Sequence, residues 1–133
     1  SKGALFVMQE AAKRISDNGR IINIGSSLVG ATTGFYSVYA GSKASLEHFT
    51  RALAKEIGAR GVTVNMVAPG AFDTPFFRGP ETPETIAYIS KGSVAGRLGK
   101  VEDMVPLIEF LTMPRAQWIT AQTIFINGGY LAR

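Results

Sequence analysis

Three short runs rich in β-branched residues, Arg20-Ile21-Ile22-Asn23-Ile24, Val62-Thr63-Val64-Asn65-Met66-Val67 and Thr123-Ile124-Phe125-Ile126, each give way to a turn containing glycine, and helical periodicity separates them. Runs that are largely apolar, without strict alternation, suit strands covered on both faces of a parallel sheet. Residues 4–16 carry Leu5, Met8, Ala12 and Ile15 at spacings of three and four before Asp17-Asn18-Gly19, which predicts an amphipathic helix and its stop. Residues 37–57 repeat Ala40, Ala44, Leu46, Phe49, Leu53 and Ile57, a longer helical pattern that Gly58 is expected to close. Residues 101–113 predict a third helix with Met104, Val105, Ile108 and Leu111 inward, and Pro106 near enough to its start to be tolerated. Between 73 and 96 the periodicity vanishes under Pro75, Gly79, Pro80, Pro83 and Gly92, so a long lid with one short helix is expected there.

The order helix, strand, helix, strand, lid, helix, strand predicts the α/β class: a parallel sheet of three strands with three helices on its faces, joined by right-handed crossovers. Such sheets bind ligands beyond the carboxyl ends of their strands. Here those ends are Gly25-Ser26-Ser27, Ala68-Pro69-Gly70 and Asn127-Gly128-Gly129.

Composition removes several function classes. The 133 residues are enough for one domain. The charge of +4 comes from Lys and Arg that are scattered rather than striped, which argues against nucleic acid. With no Cys and one His, a Cys/His zinc site, a disulfide and a thiol nucleophile are excluded. No apolar run approaches the ~20 residues that span a bilayer, so the expectation is a soluble, cytoplasmic protein without a membrane partner.

Tyr39 and Lys43 stand four apart on the predicted long helix, so they share a face. Alone the pair is weak, because a Tyr with a Lys four later arises by chance in about one chain in five of this composition. A surface Lys lying along a helix whose Tyr is packed is the plainer reading. Ser26 raises the alternative: it lies at the end of the preceding strand, and a strand end and the first turn of its crossover helix are neighbours. Phenols ionise near pH ~10, which makes them poor bases at neutrality. An ammonium ~5 Å away favours the phenolate by about 3 kcal/mol at an effective dielectric of ~20, before desolvation. A hydroxyl at Ser26 can hydrogen-bond a substrate oxygen where negative charge develops. Ser27 is its nearest rival, and spacing does not separate the two.

Ile22-Asn23-Ile24-Gly25-Ser26-Ser27, Tyr39-Ala40-Gly41-Ser42-Lys43-Ala44, Val64-Asn65-Met66-Val67-Ala68-Pro69-Gly70 through Thr74, and Asn127-Gly128-Gly129 together resemble the short-chain dehydrogenase/reductase family. The resemblance runs from Lys2 to Tyr130 and matches the second, catalytic half of a doubly wound, Rossmann-like domain. It implies Tyr39 as the acid/base, Lys43 as the residue that activates it and holds the nicotinamide ribose, and Ser26 as the group that orients the reacting carbonyl or hydroxyl. Pro69, Gly70, Phe72 and Thr74 would line the nicotinamide of NAD or NADP, with Thr74 near its carboxamide or phosphate. The substrate implied is a small-molecule alcohol or carbonyl compound.

Departures from the family pattern are Gly41 for the usual Ala, Phe72 for Ile or Val, Ala121 for Gly and Asn127 for Asp. The sequence also carries no Gly-x-x-x-Gly-x-Gly turn to receive a pyrophosphate. The expectation is that residues 1–133 are one catalytic half, with 73–96 as a substrate lid, and that this half needs a dinucleotide-binding half. Small side chains at Ala4, Ala11, Ala40, Ala44, Ala52 and Ala54 allow close helix packing outside the core, and the family pairs these helices in dimers and tetramers, so a homo-oligomer is expected.

Plainer readings hold elsewhere. His48 is expected at a solvated or interface position, Asp73 as a turn acid, and Trp118, Phe125 and Tyr130 as core or subunit-contact aromatics. Tyr36 and Ser37 border the site, and Phe76, Phe77, Ile86, Tyr88 and Ile89 either cover substrate or pack the lid itself. Two rival functions stand beside the enzyme: an inert remnant acting only by association with another chain, and a small basic binding module, which salt-sensitive nucleic-acid binding would reveal.

Overall fold

The structure is a computed structural model that describes residues 1–31 and 34–132. Thr32 and Thr33, inside the expected loop before the long helix, and Arg133 lie outside the described residues. In chain order the elements are α1 (Lys2–Arg14), β1 (Arg20–Ile24), α2 (Ser37–Ile57), β2 (Thr63–Pro69), α3 (Pro75–Arg78), α4 (Pro83–Ser90), α5 (Val101–Thr112) and β3 (Thr123–Ile126). The strands form one parallel sheet in the order β1-β2-β3. Register runs from Arg20 opposite Thr63 to Ile24 opposite Val67, and from Met66 opposite Thr123 to Pro69 opposite Ile126. All three carboxyl ends therefore emerge at one edge.

β2 is central and its side chains from Thr63 to Ala68 are buried, the environment that a nearly unbroken apolar run requires. On one side Val62 and Val64 pack with Met8 of α1 and Leu53 and Ala54 of α2. Nearer the carboxyl edge, Met66 and Ala68 meet Leu46 of α2, with Phe125 against them. This second cluster fixes α2 by its middle, and so fixes where the first turn of α2 stands relative to the strand ends. β1 is an outer strand, bonded to β2 alone, and Ile24 at its end is 44% exposed.

Several expected boundaries move, each for a local reason. α1 covers 2–14 rather than 4–16 because Ile15 is already extended. The Arg60 guanidinium takes up the chain's freed carbonyls there, bonding Ala12 O at 2.8 Å and also Ile15 O. α2 ends at Ile57 with Gly58 as its C-cap, as expected, but Gly58 is right-handed; the chain tightens into a 3₁₀ turn, and Gly61 at φ +70° makes the left-handed exit. A Cβ at Gly61 would also stand 2.3 Å from Asn18 Oδ1. The second strand begins at Thr63 and runs on through Ala68 and Pro69, because both still pair with β3 and Gly70 N donates to Ile126 O at 3.0 Å. Ala54 belongs to the core, so it is not available for helix packing outside it.

The lid is more structured than its composition suggests. Instead of one short helix it has two, α3 and α4, each opened by a Thr–Pro pair in which Thr74 or Thr82 accepts a bond from a backbone N–H three residues on. Its base is clamped: Gly99 N donates to Ala71 O at 2.9 Å and Asp73 N to Gly99 O at 2.7 Å. Gly99 packs closely at that clamp: a Cβ there would stand 3.0 Å from the Phe72 ring.

Candidate active site

A cavity of about 920 Å³ opens at the carboxyl edge of the sheet. Ser26 and Ser27 reach it from the exit of β1, Tyr36 and Tyr39 from the start of α2, and Pro69, Gly70, Ala71 and Phe72 from the exit of β2. The lid supplies the opposite wall, including Phe76, Phe77, Glu81, Tyr88 and Ile89. Ile86, which the sequence groups with these, lies instead on the outer side of the lid, facing a smaller groove with Arg78 and Lys100.

The two serines, equivalent by spacing, are separated by their bonds. Ser27 Oγ donates to Ala68 O at 3.0 Å and is 2% exposed. Ser26 Oγ accepts from Leu28 N at 3.2 Å, so its own proton has no acceptor among the described residues and remains free for a ligand. Tyr39 sits in the first turn of α2, and its hydroxyl likewise has no partner among the described residues.

Lys43 follows one turn later on the same face. Its Nζ lies 5.9 Å from the centre of the Tyr39 ring and donates to Ile24 O at 3.2 Å, which fixes the ammonium beside the phenol. Lys43 does not itself line the cavity. One bond to Ile24 leaves two N–H donors of the ammonium uncommitted.

Thr74, two residues beyond the cavity-lining Phe72, caps α3, its Oγ1 accepting from Phe77 N at 3.3 Å. Asp73 pairs with Arg78, as a turn acid would, and the guanidinium holds its carboxyl below the usual range. His48 is exposed. Trp118 is 97% exposed, whereas Tyr130, expected in a core or subunit contact, contributes to the cavity mouth with Asn127 and Gly128.

Sequence reasoning did not find Leu28, Glu81, Lys91 or the Arg97–Asp103 pair as cavity residues. The guanidinium of Arg97 at 2.7 Å, with the Lys100 backbone N–H, lowers the Asp103 carboxyl to about 2. Tyr36 donates to Glu81 Oε1 at 3.0 Å, and that carboxylate, followed by burial, raises the phenol above its ordinary value. No periodic signal marks Glu81 or Lys91, because the lid that carries them is aperiodic, and Leu28, Arg97 and Asp103 reach the cavity only through tertiary folding.

The enoyl-(acyl carrier protein) reductase family matches residues 1–131. The chain belongs to the short-chain dehydrogenase/reductase family. It is 42% identical over 96% of its length to a short-chain type dehydrogenase/reductase of Picea abies, covering 48% of that protein. It is 45% identical over 84% of its length to a 3-oxoacyl-(acyl-carrier-protein) reductase of Pseudomonas aeruginosa, covering 44% of it. Among solved structures, a dehydrogenase from Burkholderia cenocepacia with bound NADP superposes with a TM-score of 0.96 at 45% identity, over all of this chain and 52% of that one. The chain thus spans about half the length of the curated relatives it matches, and its parallel sheet is half of the family's Rossmann-like one.

Family members use NAD(P), and the residues present fit the nicotinamide end of such a cofactor. Pro69, Gly70, Ala71 and Phe72 make a largely apolar wall beside the free Ser26 and Tyr39 hydroxyls. The close approach of Gly70 to Asn127 joins that wall to the end of β3, for a Cβ at Gly70 would stand 2.9 Å from Asn127 Cα.

Among the described residues no group of three or more His, Cys, Asp or Glu could hold a metal, and no helix is long and apolar enough to cross a membrane.

Proposed function

We propose that this chain is the proton-transferring half of an NAD(P)-dependent oxidoreductase acting between a secondary alcohol and a ketone. The observation that carries the reading is the convergence on one cavity of two uncommitted hydroxyls, Ser26 and Tyr39, with the Lys43 ammonium fixed beside the Tyr39 ring. A dihydronicotinamide, when bound, would supply the hydride to the carbonyl carbon. Tyr39 gives its phenolic proton to the carbonyl oxygen, which becomes the alcohol hydroxyl, and Tyr39 is reprotonated from solvent. Ser26 donates to the same oxygen while charge builds on it. Lys43 stabilises the phenolate that Tyr39 leaves behind and offers its remaining donors to the ribose. Pro69, Gly70 and Phe72 support the nicotinamide, Thr74 holds α3 in place behind them, and the aromatic residues of the lid at 73–96 exclude water.

NADP is favoured over NAD by the Burkholderia cenocepacia structure and by an angucycline C-6 ketoreductase, solved with bound NADP, that is 32% identical at a TM-score of 0.91 over 98% of this chain and 51% of its own. A protein of Arabidopsis thaliana named as an NADPH-dependent aldehyde reductase-like protein, 40% identical over 98% of this chain and 49% of its own length, points the same way. The outer position of β1 supports the need for a dinucleotide-binding half, whose strand would cover Ile24 and the open backbone groups beside it. Exposed Phe6, Val7 and Val38 on α1 and α2 support a homo-oligomer through those helices.

The test supplies the chain with a dinucleotide-binding half and follows NADPH consumption with aldehydes, ketones and 3-oxoacyl esters. Carbonyl-dependent consumption is expected; none with any of these classes would overturn the oxidoreductase reading and leave the inert remnant. The 133-residue chain alone is expected to bind NADPH weakly, and tight binding by calorimetry would overturn the need for a second half.

A further inference from the structure

Among the described residues, one hydrogen bond joins the lid to the start of α2: Tyr36 Oη donates to Glu81 Oε1 at 3.0 Å, across 45 residues of sequence. Glu81 lies between the two lid helices, and Tyr36 immediately precedes α2. The same Tyr36 ring meets the Tyr39 ring edge-on, with centroids 6.5 Å apart and planes at 77°, the arrangement that aromatic quadrupoles favour. Both rings and Glu81 line the cavity. Tyr36 therefore has two contacts of different kinds, a hydroxyl contact to the lid and a ring contact to the phenol placed above as proton donor.

We propose that Tyr36 is a positioning residue that couples the lid to Tyr39: Glu81 holds the lid over the substrate through the Tyr36 hydroxyl, while the Tyr36 ring sets the orientation of the Tyr39 ring. The proposal rests on Tyr39 being the proton donor. The Asp73–Gly99 clamp fixes the base of the lid, and Val94 N, donating to Gly128 O at 2.8 Å, ties its last turn to the exit of β3; the Tyr36–Glu81 bond ties the segment between α3 and α4 to the start of α2. The carboxylate keeps the Tyr36 phenol protonated, and hence a donor, across neutral pH. The two contacts make separable predictions. Removing the hydroxyl loosens the lid and weakens substrate retention, whereas removing the ring also releases Tyr39 and slows proton transfer.

Steady-state kinetics of the enzyme completed by its dinucleotide-binding half test this with Tyr36→Phe, Tyr36→Leu, Glu81→Ala, Glu81→Gln, the Tyr36→Phe/Glu81→Ala double variant and Tyr39→Phe. Tyr36→Phe and Glu81→Ala are each expected to raise KM for the carbonyl substrate about five- to tenfold, with kcat lowered no more than about twofold. The double variant should match either single one, since both break the same bond. Glu81→Gln, whose amide oxygen still accepts from Tyr36, should recover at least half of the loss. Tyr36→Leu should also lower kcat about tenfold. KM within twofold of the parent for Tyr36→Phe and Glu81→Ala, additive effects in the double variant, no rescue by Glu81→Gln, or equal kcat for the Phe and Leu variants would each overturn the coupling. Unchanged turnover in Tyr39→Phe would overturn the proton-donor reading itself; its collapse beside unaffected Tyr36 and Glu81 variants would overturn the coupling alone.

Discussion

The Ser27 hydroxyl donates a 3.0 Å hydrogen bond to the Ala68 carbonyl, tying the turn after β1 to the end of β2. The bond commits Ser27 to structure and leaves Ser26, one residue earlier, as the hydroxyl with a free proton on the cavity. Ser26→Ala is expected to lower turnover by about 10²–10³ with little change in stability, as for loss of one oxyanion donor. Ser27→Ala should instead remove a buried hydrogen bond and cost about 0.5–1.5 kcal/mol of stability. Kinetics and denaturant melts of the two variants check the division, and the reverse pattern would exchange their roles.

Lys43 holds its place through Ile24 O and the Tyr39 ring. Lys43→Ala is expected to weaken NADPH binding and lower turnover together, because one ammonium serves both ribose and phenol. Calorimetric titration beside kinetics reads both, and loss of neither would return Tyr39 and Lys43 to a coincidence of spacing.

Gly70 is required by the close approach of Asn127, whose Cα would stand 2.9 Å from an added Cβ. Gly70→Ala is expected to push apart the exits of β2 and β3 and destabilise the protein by about 1–3 kcal/mol, the usual range for overpacking. A melting temperature equal to that of the parent would show that the two exits yield freely.

Ala121 has φ +59°, the left-handed region that costs a residue with a Cβ about 1–2 kcal/mol, and its N–H is bonded to Val64 O at 2.8 Å. The family's usual glycine suits this backbone. Ala121→Gly is expected to stabilise by up to about 1 kcal/mol after the added entropy of the unfolded chain is subtracted. A loss of stability would mean that the packing of its methyl against the first core cluster outweighs the strain.

Asp103 joins Arg97 to the start of α5, and its carboxyl is lowered from 3.8 to about 2, chiefly by the Arg97 bond. A depressed carboxylate stabilises the fold above its unfolded value and loses that contribution as pH falls through the folded one. The stability difference between the parent and Asp103→Asn should therefore be constant above pH ~5 and shrink between roughly pH 4 and 2. Melts across that range check it, and a difference that grows on acidification would contradict the assigned direction.

β1, α2 and β3 could be read from the sequence to their end residues, because apolar runs and a long helical period report burial directly. The left-handed exit at Gly61 was not legible, because it follows from the 3₁₀ turn after Gly58 and from the close approach of Asn18. Tyr39, Lys43 and Ser26 were legible as a spacing on one helix and one strand end. The division of labour between Ser26 and Ser27 was not, since it depends on the Ala68 carbonyl of another strand. The capping of α3 by Thr74 was not legible either, because the aperiodic segment gives no helix there to be capped. Glu81 lies in an aperiodic segment and meets Tyr36 only through tertiary folding, so no pattern in the chain announces the pair.

Whether Tyr39 supplies the proton is read from the turnover of Tyr39→Phe in the enzyme completed by its dinucleotide-binding half. The ring and its contacts with Tyr36 and Lys43 remain in that variant, and only the hydroxyl is lost. NADPH affinity should stay within a few-fold of the parent while turnover falls by about 10² or more. Turnover equal to that of the parent would contradict the proton-donor reading.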